Sequence, residues 1–369
     1  MTVNSRKKGL RTMTRSMFRA LGLAGLFAVM ANSAWAGSDG RKGTGGASEL
    51  LIPVGARGSA LGAGVASDVS GAEAIYWNPA GVAKLEGTDG LFSHTTYFAD
   101  MKVNYAAVAV QAGGIGVLGF NAKVLSVGDV LVTTEAAPEG TGEVVEPTFT
   151  VLGVTWAKAF TDRVNFGITS NFISERLLSM SASGLAFDFG VQYDTGWRGL
   201  KHSMAMKNFG NSMSFNGENL EVNLLPPGSD PTASNRTLRF TTANFEMPSY
   251  FTLSGTYDLY HYGENQLKLM GAFQNNNFVG DNLGAGAEWS YKNAFALRGS
   301  WFGTGNTAVD ATGDQSVKFS SGDDLYQGVA LGAGVKVKTG GTNLGVDVSW
   351  RPVKNFFDDV VEFGLRLKF

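Results

Sequence analysis

From residue 90 to the end of the chain, hydrophobic and polar positions alternate in runs of about ten residues, as in strands whose two faces meet different surroundings. The last run is the clearest: Val361, Phe363, Leu365, Leu367 and Phe369 share one face, and Glu362, Gly364, Arg366 and Lys368 share the other. If the apolar face meets lipid, a one-residue slip would place Arg366 and Lys368 there, at roughly 2–4 kcal/mol for each cation near the bilayer midplane. The run before it sets Leu344, Val346, Val348 and Trp350 against Asn343, Gly345, Asp347, Ser349 and Arg351. Two more sets repeat the pattern. Leu185, Phe187, Phe189, Val191 and Tyr193 oppose Asp188, Gln192 and Asp194, while Leu283, Ala285, Ala287, Trp289 and Tyr291 oppose Glu288, Ser290 and Lys292.

Fourteen such strands are expected, at 91–98, 102–112, 115–126, 148–160, 163–178, 184–194, 200–208, 249–260, 265–275, 281–291, 294–302, 326–338, 342–351 and 360–369. The long connections, 127–147, 209–248 and 303–325, follow strands three, seven and eleven, so all three fall on one side of an up-and-down arrangement. Short turns on one side and long loops on the other predict an all-β, antiparallel transmembrane barrel. A propeller or a sandwich has no reason to obey this parity. Trp156, Tyr193, Trp289, Tyr291, Trp301 and Trp350 fall near strand ends, where aromatic girdles form. Inward charges of both signs are expected at Asp188, Asp194, Glu288, Lys292, Arg298, Asp347, Arg351, Glu362, Arg366 and Lys368. A mixed set suits pairing inside an occupied lumen better than an ion-selective ring.

Composition agrees with this picture and narrows the function. The chain has 50 glycines in 369 residues, about twice the usual share, and only 17% charged residues. Thirty Lys+Arg against 32 Asp+Glu leave no basic field, which argues against a nucleic-acid partner. The absence of cysteine rules out disulfides, thiolate metal sites and a thiol nucleophile. Arg6, Lys7, Lys8, Arg11, Arg15 and Arg19 precede an apolar run at 20–30 and a small-x-small site at Ala34-Trp35-Ala36. This pattern predicts a signal peptide at 1–36, export, and a basic segment at 37–48 lying on the inner side of the outer membrane. Outer-membrane lipid is then the first expected partner.

Residues 52–83 interrupt the strand pattern. They hold Gly55, Arg57, Gly58, Gly62 and Gly64, followed by Tyr76-Trp77-Asn78-Pro79-Ala80-Gly81. Small residues allow close backbone approach, Asn78 suits a helix cap, and Pro79 suits the first helical position. We read residues 37–89 as an N-terminal segment and plug, and 90–369 as the barrel around it. Fourteen strands enclose more space than their own side chains fill, so the lumen needs such an occupant. The run from Gly55 through Gly64 to Gly81 resembles the N-terminal signature of the PorV/PorQ family, outer-membrane barrels related to the FadL fatty-acid transporters. One acid, Asp68, stands where such proteins often carry two.

The resemblance implies a non-enzymatic component of type IX-like protein secretion, with secreted cargo and secretion-system subunits as partners and loops 127–147 and 209–248 as contact surfaces. The alternative it implies is FadL-like passive transport of hydrophobic molecules, with Pro79, Gly58, Gly62 and Gly64 as hinge candidates. The terminal strand, with Phe363, Leu365, Leu367 and Phe369, resembles the signal read by the barrel-insertion machinery.

Other constellations carry less. Gly114-Ile115-Gly116-Val117-Leu118-Gly119 has dinucleotide-binding spacing but lies within strand pattern with no helix after it, so wall glycines are expected and no cofactor. His94, His202 and His261 lack metal-ligand spacing, and nothing else points to a catalytic site. Asp310, Asp314, Asp323 and Asp324 lack the EF-hand pattern, so a solvated loop is expected and no metal.

Overall fold

The computed structural model describes residues 41, 43–225, 227–230, 232, 234–309, 315–320, 328–353 and 358–369. The expected signal peptide and the four loop aspartates at 310, 314, 323 and 324 lie outside them. Among the described residues fourteen long strands build the wall. In chain order they begin with β1 Thr88–Thr96, β2 Lys102–Gln111, β3 Val117–Ser126, β4 Thr148–Ala159 and β5 Val164–Leu177. Next come β6 Met180–Asp194, β7 Lys201–Gly210, β8 Tyr250–Tyr262, β9 Asn265–Asn276 and β10 Asp281–Tyr291. The last four are β11 Phe295–Val309, β12 Gly328–Thr339, β13 Thr342–Arg351 and β14 Val360–Lys368. Each runs antiparallel to its neighbours, and β14 closes the barrel on β1, with Asp89 opposite Lys368 and Thr96 opposite Val361. Among the described residues the ring of strands is closed, so no long strand is left as an open sheet edge.

The faces sort as the alternation requires. Phe363, Leu365, Leu367 and Phe369 are exposed on the outside, whereas Glu362 is only 2% exposed and faces inward. Trp156, Tyr193, Trp289 and Tyr291 mark the end with short turns, and Trp350 marks the end with long loops. Trp301 sits at that same outer rim. It pairs with Val329 near the start of β12, and beyond Phe302 strand β11 pairs instead with Gln315–Ser320. The long connections carry small hairpins of their own, Val130–Leu131 with Val144–Val145 and Glu221–Leu224 with Arg236–Arg239.

The lumen holds a plug. Ser48–Leu51, a short α-helix α1 at Ala56–Leu61, a tight turn at Gly62–Ser67, α2 at Ala74–Trp77 and a last turn at Pro79–Lys84 all lie inside the wall. Ala60, Leu61, Val65, Val69, Ala72, Ala74, Ala80 and Val82 are completely buried. Among the described residues no helix is long and apolar enough to cross a membrane. The wall begins right after the plug, where the Thr88 amide donates to the Phe369 carbonyl at 3.2 Å on the short-turn end.

Two expectations need correction. The basic segment at 37–48 was expected on the inner side, but its described residues lie at the opposite, long-loop end. Gly45 bridges to Glu246, which lies between β7 and β8, and Arg41 pairs with Glu246 at 3.0 Å and stacks over Phe278 at 4.4 Å. The cause is the burial of Ala47 and Leu50 under that loop, which places the start of the plug at the outer mouth. The chain therefore enters the barrel from above and descends through the lumen. Lys292 was expected to face inward. It lies in the turn after β10 with a left-handed backbone (φ 54°) and pairs with Glu264 at 3.5 Å in solvent.

Candidate functional site: the plug and its seat

At the inner half, the plug is held by a buried ionic network. Arg57, on α1, places a forked pair of bonds on Glu288 of β10, Nε to Oε2 at 2.9 Å and Nη2 to Oε1 at 3.1 Å. Planar two-point contacts of this kind fix orientation as well as charge. Glu288 also accepts from Arg298 at 2.7 Å, and Arg298 reaches Asp347 at 2.6 Å. Asp68 is the second centre, meeting Lys201 at 2.6 Å, Lys268 at 2.7 Å and Arg57 at 3.3 Å. Burial works against the Asp68 carboxylate, but Lys268, Arg57 and Lys201 hold it well below the usual carboxylate range. A third centre joins Arg366 of β14 to Asp89 of β1 at 2.6 Å and to the Ser70 carbonyl at 2.8 Å. Asp89 in turn accepts the Ala72 amide at 2.9 Å.

Main-chain bonds complete the seat. The Gly55 amide donates to Glu362 at 2.6 Å and the Gly58 amide to Glu73 at 2.9 Å. Ser300 donates to the Ala60 carbonyl at 2.8 Å, Arg351 to the Ser59 carbonyl at 2.9 Å, and Gln192 to the Ala66 carbonyl at 2.8 Å. These side chains, all from the wall except Glu73, satisfy backbone groups that such short helical turns leave unpaired.

The small residues are small because the fit is close. A Cβ on Gly62, which has φ +64°, would lie 1.8 Å from the Phe302 ring, and one on Gly58 would lie 2.1 Å from the Trp77 indole nitrogen. Gly64 rests against Met270 of β9, and Gly81 against the Val69 carbonyl. The wall shows the same need: Gly119, in the motif of dinucleotide spacing, faces Ile75 of the plug. Trp77 donates to the Val54 carbonyl at 2.9 Å, and the Tyr76 hydroxyl to the Ile52 carbonyl at 3.0 Å. The Tyr76 ring lies 4.4 Å from the Lys207 ammonium and 5.1 Å from that of Lys123. Asn78 caps the turn that Pro79 opens. Its Oδ1 accepts the Ala80 amide at 3.0 Å and its Nδ2 donates to the Val191 carbonyl at 3.3 Å, against wall glycines Gly167 and Gly190.

The outer half is held differently. Ala47 and Leu50 pack with Val151, Ile173, Ala182 and Ala186 of the wall and with Met213 and Met247 of the loop before β8. Phe215 and Phe245 lean on this group from above. The wall is least regular beside it. The β6–β7 register shifts between Phe187 and Phe189, Asn208 takes a left-handed backbone (φ 58°), and the first residues of β6 pair with Asn216–Gly217 instead of β7. Burial and the neighbouring Glu175 push the Glu49 carboxyl up to about 7.

Among the wall partners, Glu288, Arg351, Glu362 and Arg366 were expected to face inward, but which plug group each would meet was not legible. Glu73, Asp89, Lys123, Lys201, Lys207 and Lys268 do as much as any residue singled out beforehand. Lys201 and Lys268 were legible only as polar residues within strand runs, and Glu73 and Asp89 gave no signal. His94, His202 and His261 lie on β1, β7 and β8; His94 hydrogen-bonds Asn104 at 2.8 Å. Among the described residues no group of three His, Cys, Asp or Glu is placed to hold a metal ion.

No protein-family model and no curated protein matches this sequence. Solved structures do. The toluene transporter TodX of Pseudomonas putida matches with a TM-score of 0.51 at 12% identity, over 86% of this chain and 97% of that one. A Pseudomonas aeruginosa FadL homologue matches at 0.48 and 11%, over 86% and 98%. The toluene transporter TbuX of Ralstonia pickettii matches at 0.46 and 10%, over 86% and 97%. The likeness to TodX is one of fold, a closed antiparallel β-barrel.

Proposed function

We propose that this protein is a passive conduit for small hydrophobic molecules across the outer membrane. The observation that carries the reading is the apolar cluster at the outer mouth, where the first turn of the plug, the loop before β8 and the irregular β6–β7 seam meet. A molecule that replaces Leu50 against Met213 and Met247 would loosen the start of the plug without breaking an ion pair. Methionine suits such exchange because its unbranched side chain adapts to varied shapes. TodX, which shares the fold, is a toluene transporter, and the same solute class fits this cluster. Protein secretion, the other function that the PorV/PorQ resemblance implies, would use the outer faces of the long loops and leaves the cluster without a task.

The test is uptake of a labelled apolar solute by cells that lack their own conduit. The protein should raise the rate several-fold, and Met213→Arg, which puts a charge into the cluster, should return it to background. Equal rates with and without the protein, together with co-purification of secreted cargo in mild detergent, would move the assignment to secretion.

A further inference from the structure

Beneath the plug, at the short-turn end, lies an open cavity of about 310 Å³ whose lining is cationic and not apolar. Its charges can be followed one at a time. Lys201 and Lys268 share Asp68, Arg57 and Arg298 share Glu288, and Arg366 meets Asp89. Glu73 and Asp347, beyond the lining, add to the pairing of Arg57, Arg366 and Arg298. Two lining cations remain, Lys84 and Lys336, and among the described residues neither meets an acid. Lys84 is the last residue of the plug's final turn, and Lys336 is an exposed residue of β12.

We propose that this vestibule binds a small polyanion in solution, with Lys84 and Lys336 as its anchoring residues. The paired arginines and lysines around them would add a positive background field, strengthened by the low-dielectric wall. Burial, and after it Lys201, push the Lys84 ammonium below its usual pKa, a cost that an incoming anion relieves. The ligand class follows from the lining. An apolar chain would meet apolar side chains only at Ala294, Phe295 and Ala296, whereas a compact group carrying several negative charges fits both volume and sign. Because Lys84 belongs to the plug and Lys336 to the wall, the anion would tie one to the other and favour the seated plug. The proposal does not depend on what crosses the barrel.

Titration calorimetry of the purified full-length protein in a non-ionic detergent tests it, with pyrophosphate and citrate as separate probes. We expect saturable binding of at least one probe, weakening as salt is raised. The Lys84→Ala/Lys336→Ala double variant should bind about tenfold more weakly or worse, given what charge-assisted hydrogen bonds contribute. Lys292→Ala, whose ammonium pairs with Glu264 at a turn, should bind like the parent. Tighter binding of pyrophosphate assigns phosphate chemistry to the site, and tighter binding of citrate assigns carboxylate chemistry. If neither probe binds at millimolar concentration, or if Lys292→Ala loses as much as the double variant, the proposal falls. Should the double variant not fold as a barrel, Lys336→Gln alone, at the exposed mouth, serves, with a loss of about threefold or more expected and parent-like binding overturning the proposal.

Discussion

The two halves of the plug are fastened by opposite physics. At the inner half, Arg57, Asp68, Glu288 and Arg366 lie in charge pairs at 2.6–3.3 Å whose partners sit on strands spread around the wall. At the outer half, the side chains of Ala47 and Leu50 are held by apolar contact with Met213, Met247 and the wall. There Lys123 donates to the Glu49 and Ile52 carbonyls at 2.6 Å, and among the described residues no plug carboxylate is paired to a cation. Ion pairs in a largely buried setting are directional, and losing one partner leaves the remaining like charges facing one another. Apolar contacts are non-directional, so another apolar group can replace them at little cost. A plug built this way is anchored below and exchangeable above, which suits a conduit that admits solute from outside.

The largest expected effect comes from breaking the lower anchor. Asp68→Ala leaves Lys201, Lys268 and Arg57 facing one another, and it should lower stability by about 3–5 kcal/mol, as loss of one member of a buried pair does. Thermal unfolding in detergent reads this, and planar-bilayer conductance should rise as the plug leaves its seat. An unchanged melting temperature would show that the inner network does not hold the plug.

Leu50→Ala tests the upper half. Its cost should be about 2–3 kcal/mol, low in the range for buried leucine because a cluster at the mouth can relax. The loss should be local. Hydrogen exchange at residues 45–52 should quicken while the strands keep their protection. If the whole barrel loses protection together, the two halves are one cooperative unit and the contrast fails.

The smallest effect sharpens the comparison through pH. Glu49 has its carboxyl raised by burial and by Glu175, from 4.5 to about 7. The folded state therefore favours the protonated acid, so this group's contribution is at its best below pH 4.5 and declines as pH rises towards about 7. Asp68 has the opposite sign. Its carboxyl is held down, so its stabilisation is present above its unfolded value of 3.8 and is lost only in stronger acid. Raising the pH from about 5 to about 8 should thus loosen residues 45–52, as read by limited proteolysis, and leave the inner anchor intact. Glu49→Gln should remove the dependence; if it persists, another group is responsible.

Much of the wall was legible in the chain because lipid and lumen impose a local rule on every second residue. Strand number, the facing of Phe363 and Arg366, and the parity of the long loops all follow from that period. So did the capping by Asn78 before Pro79, which involves neighbours in sequence. What the sequence left open was which inward charge meets which. Arg57 and Glu288 are 231 residues apart, and nothing local distinguishes Glu288 from the other inward acids. Nothing near Asp68 in sequence announces its role, yet it gathers three cations. The route of residues 41–50 over the outer mouth was likewise a tertiary decision, made by burial of Ala47 and Leu50 beneath a loop some two hundred positions away. Alternation is written one residue at a time, whereas the seat of the plug exists only once barrel closure brings distant side chains around the lumen.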